Sequence, residues 1–399
     1  MHWIKRLSLA KAAIVFLNYV FPVSVLAQDG FRYHAGSWSG KALGQRSSYQ
    51  TRADTWLGGV YRFQHRNFEG AANVTFDISD GTVSYAGSHA QLAFGDWVAG
   101  LGLKERHWSL SPNTSLILSQ NAPPLPTLYL TKRKRTAFDA PVLSWIGPWE
   151  ADIFYGYNDK GDANKAANIF GARVIVEPIS NFEIEAVWTS QFFPEDADFL
   201  NIFGSETNRG VSADANGMAG FGASYSWGSN RVYMQAIGED EAGWFPSCFM
   251  YLAGFSHRTF LRSIPSKLNV ELVDTRISET PNGFCGPGTA YRNGTHPYIQ
   301  KGFVMGAPID SEGTSISFNG SHDFPDYHIN WGIAYKSINE ASIPNHRLSQ
   351  EKADGLTAHL GFEFDFGRTE VTSRVHYQGL ELESIGVDEG FGVSVALNF

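Results

Sequence analysis

The sequence predicts an all-β protein, a transmembrane antiparallel β-barrel of about 16 to 18 strands. Three observations carry that expectation. The first is composition: 41 Gly, 29 Phe, 16 Tyr and 11 Trp in 399 residues favour strands over helices. The second is periodicity, since apolar residues alternate with small or polar ones in segment after segment. The third is the ending, GFGVSVALNF at residues 390–399. Phe391, Val393, Val395, Leu397 and Phe399 share one side there, and Gly392, Ser394, Ala396 and Asn398 the other. A soluble edge strand avoids an apolar terminus. A barrel's last strand must instead pair with its first, because lipid tolerates no unpaired backbone. Phe399 is therefore expected to close the barrel and to be read by the barrel-assembly machinery as a terminal signal.

The elements follow in chain order. Residues 1–27 read as a cleaved secretory signal: Lys5, Arg6 and Lys11 lead, Ala12 to Val25 is largely apolar, and Val25-Leu26-Ala27 supplies the small-x-small site. Asn18 and Pro22 interrupt the run, which falls short of the ~20 residues of a spanning helix. The barrel domain is expected over residues 28–399. The leader holds three of the 31 Lys+Arg and none of the 40 Asp+Glu, so its removal takes the net charge from −9 to −12. That acidic balance argues against nucleic acid as a partner. A mean hydropathy of −0.21 is compatible with a membrane barrel, whose polar lumen residues dilute the apolar face.

Strand after strand repeats the pattern. FEIEAVW sets Phe182, Ile184, Ala186 and Trp188 against Glu183 and Glu185, and LNVEL sets Leu268, Val270 and Leu272 against Asn269 and Glu271. FGASYSW (221–227), YHINWGIAY (327–335) and LGFEFDF (360–366) do the same. A soluble sandwich also alternates. Here, however, the rings of Trp188, Trp227, Tyr327, Tyr335 and Phe366 sit near strand ends, where interfacial girdles belong. The opposite face carries carboxylates such as Glu363 and Asp365, which suit a polar lumen and are costly in a dry core. Tight turns are expected at 79–81, 177–181, 228–230, 264–267, 322–326 and 367–369. Longer polar loops are expected at 194–216, 238–247, 275–300 and 338–355. Short turns at one end and long loops at the other suit a barrel of the bacterial outer membrane, with membrane lipid and lipopolysaccharide around it.

The centre of the chain is more specific. WSLSPNTSLILSQNAPPLPTLYL (108–130), PVLSWIGPWEADIFYGYND (141–159) and FGARVIVEPISNFEIEAVWTSQF (170–192) come in that order. They are followed by YMQAIGEDEAGWFPSCFMYLAGF (233–255) and YRNGTHPYIQKGFVMGAPIDSEGTSISF (291–318). Together they resemble the Wzi family of capsule-assembly outer-membrane proteins. The resemblance implies an 18-stranded barrel whose lumen is occluded by its own loops. It also implies a surface lectin that binds capsular polysaccharide or exopolysaccharide, with no enzymatic step. Members of that family can carry a helical bundle ahead of the barrel; here the strand-like GFRYHAGSW starts three residues after the expected cleavage site. The alternative function, which the barrel alone permits, is a porin-like channel for sugars or small anionic solutes.

Candidate binding residues come from charge and aromatic placement. Glu239, Asp240 and Glu241 are expected at the external mouth, because the turn at 228–230 sends the following strand outward. They suit a divalent cation bridging to an acidic glycan or a lipid phosphate, or else form a solvated or inward structural cluster. Lys132, Arg133, Lys134 and Arg135 stand out in an acidic chain, and Gly147-Pro148 reads as the turn after them. That places 119–137 outside or folded into the lumen. With Tyr129 nearby they are candidates for an anionic polysaccharide, the alternative being ion pairs with lumen carboxylates or lipopolysaccharide phosphates. The proline-rich NAPPLP before them is expected to fold inward. Cys248 and Cys285 fall at the external end and, in an exported protein, are a candidate disulfide. Ser321-His322 superficially resembles a lipase pair, but neighbouring strand residues face opposite sides. The 12 His show no HExxH or other ligand spacing, so no metal or cofactor is expected.

Overall fold

The computed structural model describes residues 30–40, 43, 55–79, 81–159, 165–196, 215–242, 245–281 and 283–399. The expected leader, 1–27, lies outside them. Nineteen segments join in one antiparallel sheet, one of them only the two-residue Val83–Ser84; the other 18 are the barrel. In chain order they are β1 Phe31–Ser39, β2 Thr55–His65, β3 Phe68–Asp77, β4 His89–Phe94, β5 Trp97–Leu103 and β6 Pro126–Thr136. Next come β7 Trp149–Asn158, β8 Ala167–Ile179, β9 Phe182–Phe192, β10 Ala215–Trp227, β11 Asn230–Ala242 and β12 Phe245–Leu261. The last six are β13 Ile264–Asp274, β14 Thr314–Asp323, β15 Tyr327–Ile338, β16 Ala353–Phe366, β17 Thr369–Gln378 and β18 Gly390–Asn398.

Each strand pairs with its neighbour in sequence, and β18 returns to β1 with His34 opposite Asn398 and Ser37 opposite Val395. The Phe399 amide donates to the Tyr33 carbonyl at 2.8 Å, so the ladder runs to the last residue. The sheet thus has no free edge, as lipid demands.

Alternation sorts the faces. Leu128, Tyr225, Leu272, Ile316, Ile333 and Leu360 are exposed on the outside, while Glu185, Gln235, Asn269 and Glu271 are buried inside. An apolar outer surface of that extent has only one compatible solvent, the hydrocarbon of a bilayer. Two-residue turns close one end at Arg66-Asn67, Gly95-Asp96, Ser180-Asn181, Gly228-Ser229, Arg262-Ser263 and Gly367-Arg368. Both termini of the barrel sit at that end, as does the connection 137–148, and the other long connections lie at the opposite end.

Three expectations about connections are corrected. The turn expected at 264–267 is Arg262-Ser263, which adopts left-handed φ values of 50° and 71° although neither residue is glycine. The turn at 79–81 exists, with Gly81 donating to Asp77, but it lies at the long-loop end. The loop expected over 238–247 is mostly strand: β11 and β12 stay paired as far as Ala242 and Phe245.

The lipid-facing reading is testable at the middle of β15. Ile333→Arg should cost about 2–4 kcal/mol of folding free energy in bilayers. Equilibrium refolding into vesicles measures it, and a loss below 1 kcal/mol would place Ile333 off the lipid.

Candidate functional site

Two connections at the long-loop end turn inward, 104–125 after β5 and 275–313 after β13. Neither sequence alternates, so neither can extend the wall. Segment 104–125 instead clusters its apolar residues: Leu116 and Ile117 are fully buried and Leu118 nearly so. Its serines satisfy the backbone that a strand would have satisfied. Ser115 Oγ donates to the Trp108 carbonyl at 2.8 Å, and Ser109, Ser111 and Ser119 Oγ accept from amides two residues on.

Wall residues fasten this segment. Gln235 on β11 accepts from the Leu116 amide at 2.9 Å and donates to the Trp108 carbonyl at 2.7 Å. The Trp108 indole donates to Asp152 on β7 at 3.1 Å, and Ser111 Oγ donates to Glu271 on β13. Glu271 also accepts from Tyr233 at 3.1 Å. Its buried carboxylate is therefore held by the inward segment and by β11 together, as such a group must be paired.

The second segment packs on the first. Tyr291 Oη donates to the Leu116 carbonyl at 2.7 Å and accepts from the Ala307 amide at 3.2 Å. Gly306 permits this approach, since a Cβ there would lie 2.5 Å from Tyr291 Oη and 2.6 Å from the Leu116 carbonyl oxygen. Tyr298 stacks on Tyr291 with centroids 6.1 Å apart and meets Thr189 Oγ1 at 3.0 Å. Complete burial pushes both phenols above their usual range, which keeps them protonated donors. Cys248 on β12 and Cys285 are joined as a disulfide, their Cα atoms 5.3 Å apart.

A third connection, 339–352, straps the second down. Arg347 Nε donates to Asp310 at 2.7 Å and its Nη1 to the Tyr291 carbonyl at 3.2 Å. His346 Nε2 meets the Ser311 carbonyl at 3.0 Å, and its Nδ1 accepts from the Leu348 and Ser349 amides at 3.3 and 3.4 Å. Only the tautomer with the proton on Nε2 makes all three bonds.

The sequence candidates are dispersed by this arrangement. Glu239 is buried and accepts from the Tyr291 amide at 3.0 Å, so it holds the second segment rather than facing outward. Asp240 and Glu241 belong to β11, their side chains lying outside the described ones. Lys132–Arg135, expected outside or folded into the lumen as part of a loop, instead continue β6 to its turn end, and the alternative of ion pairs with carboxylates is the arrangement found. Arg133 pairs with Glu69 at 3.0 Å, Lys134 with Asp96 at 3.9 Å and Arg135 with Glu150 at 2.8 Å and with Glu183. Lys132 caps the Trp149 carbonyl at 3.0 Å across the bulge in β6. The carboxylates drew the basic run into the sheet. Tyr129 is buried in the wall, its Oη donating to Gln91 at 2.8 Å.

Other lumen cations are matched too: Arg106 with Asp152 at 3.3 Å, Arg173 with Glu185 at 2.6 Å and Arg231 with Glu183 at 3.0 Å. Sequence reasoning missed Trp108, Tyr291 and Tyr298, whose only advance signal was that their segments did not alternate, and Gln235, a wall residue of β11 that nothing local marks out.

His322 does not serve Ser321. Its Nε2 accepts from the Trp331 indole at 2.9 Å, which leaves the proton on Nδ1 to be donated to Ser266 at 2.8 Å. A histidine so committed cannot deprotonate a serine. Among the described residues no three His, Cys, Asp or Glu side chains are grouped to hold a metal ion.

The strap carries a pH dependence. Burial holds His346 below the ordinary imidazole value, so its contribution to docking is present above about pH 6.5 and is lost as pH falls below it. Amide exchange at Leu348 and Ser349, corrected for intrinsic rate, should accelerate between pH 7.5 and 5 in the parent and not in His346→Gln. Equal pH response in both proteins would remove His346 from this role.

Comparison with known proteins gives concordant results. A family model described as capsule assembly protein Wzi matches residues 24–384. The solved structure of Wzi from Escherichia coli, described as a carbohydrate-binding β-barrel of the outer membrane involved in group 1 capsule assembly, is similar with a TM-score of 0.78. Identity is 19%, over 93% of this chain and 84% of that one. An uncharacterized 55.8 kDa protein in the cps region of Klebsiella pneumoniae is 26% identical over 214 residues, 50% of this chain. The match spans 42% of that relative's length.

Proposed function

Because this chain belongs to the capsule assembly protein Wzi family, we propose that it binds capsular polysaccharide or exopolysaccharide and holds it at the cell surface. The observation that carries the reading is the inward packing of 104–125 and 275–313, with Leu116, Ile117, Tyr291 and Tyr298 fully buried between wall and strap. From this packing we infer that the lumen is occluded to passage from one end to the other. A closed barrel is a platform: its disulfide-tied, strapped loops hold a fixed surface toward the medium, and fixed surfaces bind with less ordering cost.

The protein is read as a binder and not as a catalyst. Support comes from His322, whose proton is fixed on the wrong nitrogen, and from the carbohydrate binding described for the E. coli protein. Lipopolysaccharide around the barrel and the barrel-assembly machinery that inserts it complete the proposed partners. The channel alternative draws on the ion-paired lumen wall, which resembles a pore lining, but requires the two inward segments to leave.

The test is the partition of polymer between cells and medium in a strain lacking this chain, with a complemented control. Polymer made in unchanged amount and shifted to the medium is the expected result. Unchanged partition, together with ionic conductance of the purified barrel in planar bilayers, would instead establish the channel.

A further inference from the structure

The lumen wall on β14 to β17 is built differently from the ion-paired wall on β6 to β11. Register sets Asn319, Gly332, His359, His376 and Gly392 in one row across five strands. A side chain at Gly332 would collide with the His359 ring and one at Gly392 with the His376 ring. The two imidazoles therefore lie over glycines, along the wall, and leave the space in front of them open. A cavity of about 220 Å³ occupies that space, far above the ~10–15 Å³ that admits one water. Lys336 and Arg374 line it together with His359, and Asn113, Pro308 and Ile309 from the inward segments form its roof.

Neither cation here is held in an ion pair, although the Glu363 carboxylate acts on Arg374 from further along β16. Lys336 Nζ has a carbonyl, that of Leu43, at 3.5 Å, and Arg374 Nη2 has the Asn330 amide oxygen at 3.5 Å. Among the described residues neither has a carboxylate within 4.0 Å, in contrast to Arg106, Arg173, Arg135 and Arg231. Glu363, further along β16, accepts from Asn330 at 3.2 Å. Two cations held in a partly dehydrated cavity call for an anion. Gln378, on the same wall, is buried and donates to the Leu380 carbonyl at 3.3 Å. The Asn319 amide and the His359 ring line the cavity beside the two cations, and polar groups so placed suit a ligand carrying both negative charge and hydroxyl groups.

We propose that this cavity binds an acidic sugar residue. Lys336 and Arg374 supply the countercharge for its carboxylate, and Asn319 and His359 face its hydroxyls. The proposal rests on the reading of the chain as a carbohydrate binder and adds a second, internal site whose ligand class is a uronate.

Calorimetry on the full chain in detergent tests it, with D-glucuronate, D-glucose and inorganic phosphate as probes. Glucuronate should bind, and glucose and phosphate should each bind about tenfold more weakly or not at all. Lys336→Met and Arg374→Gln should each weaken glucuronate by about tenfold or more. Ala334→Asp, which sets a carboxylate two residues from Lys336 on the same face, should abolish binding without removing a cation. Heat-dependent mobility in detergent gels verifies that each variant is a folded barrel. Equal affinity for phosphate, equal affinity for glucose, or indifference of glucuronate binding to all three variants overturns the proposal. Polymer retention by cells carrying the same variants separates the two readings. Retention with no glucuronate binding removes the internal site alone, whereas loss of retention in the deletion strain is what the surface reading requires by itself.

Discussion

One constraint organises this molecule: no backbone N–H or C=O can face lipid unpaired. The pairing of β18 with β1, carried to the Phe399 amide, meets it at the seam. Closure over 18 strands has a geometric consequence, because barrel diameter grows with strand number and wall side chains alone no longer fill the interior. The chain packs two of its own connections into that space. That brings irregular backbone into a buried space, and the same constraint returns in a second form. It is met by serine hydroxyls within 104–125 and by Gln235, which satisfies one donor and one acceptor of that segment from the wall.

The lumen contents then divide by chemistry. Near the long-loop end the inward segments form a core of Leu, Ile and Tyr such as a small soluble domain would have. Towards the turns the wall is lined by guanidinium groups and carboxylates set against one another. Glu271 and Glu185 mark the border, and each is tied to both regions: Glu271 accepts from Ser111 as well as Tyr233, and Glu185 from Gln235 as well as Arg173. Polar networks of this kind specify one arrangement of loop against wall, since any other would strand a buried charge.

Much of the barrel was legible in the sequence because lipid imposes a period of two on every strand it touches. Leu268-Val270-Leu272 and Phe182-Ile184 read correctly for that reason. The basic run at Lys132–Arg135 read as a loop because partners such as Glu150 and Glu183 are supplied by other strands, and local sequence cannot show them. The Arg262-Ser263 turn was displaced by two residues because neither of its members carries the usual glycine or asparagine signature. The Cys248–Cys285 pair needed no pattern, being the two cysteines of an exported chain. The inward core was hidden for a physical reason: Tyr291 to Leu116 and Gln235 to Leu116 join residues 175 and 119 apart, without periodicity to announce them.

The cross-link between β12 and the segment 275–313 bears on the order of events in biogenesis. Disulfides of exported proteins are made in the periplasm, before a barrel reaches its final place. A bond made at that stage joins Cys285 to β12 while the sheet is still open at the β1–β18 seam. The closing sheet then curls around a segment already anchored to it, and no folded loop has to be threaded afterwards through a finished ring. Bringing distant contacts together is the slow step for a chain of this topology. The covalent bond shortens the search for the contacts of Tyr291 with Leu116 and Glu239, and the plug acts as the mandrel on which the cylinder is wound.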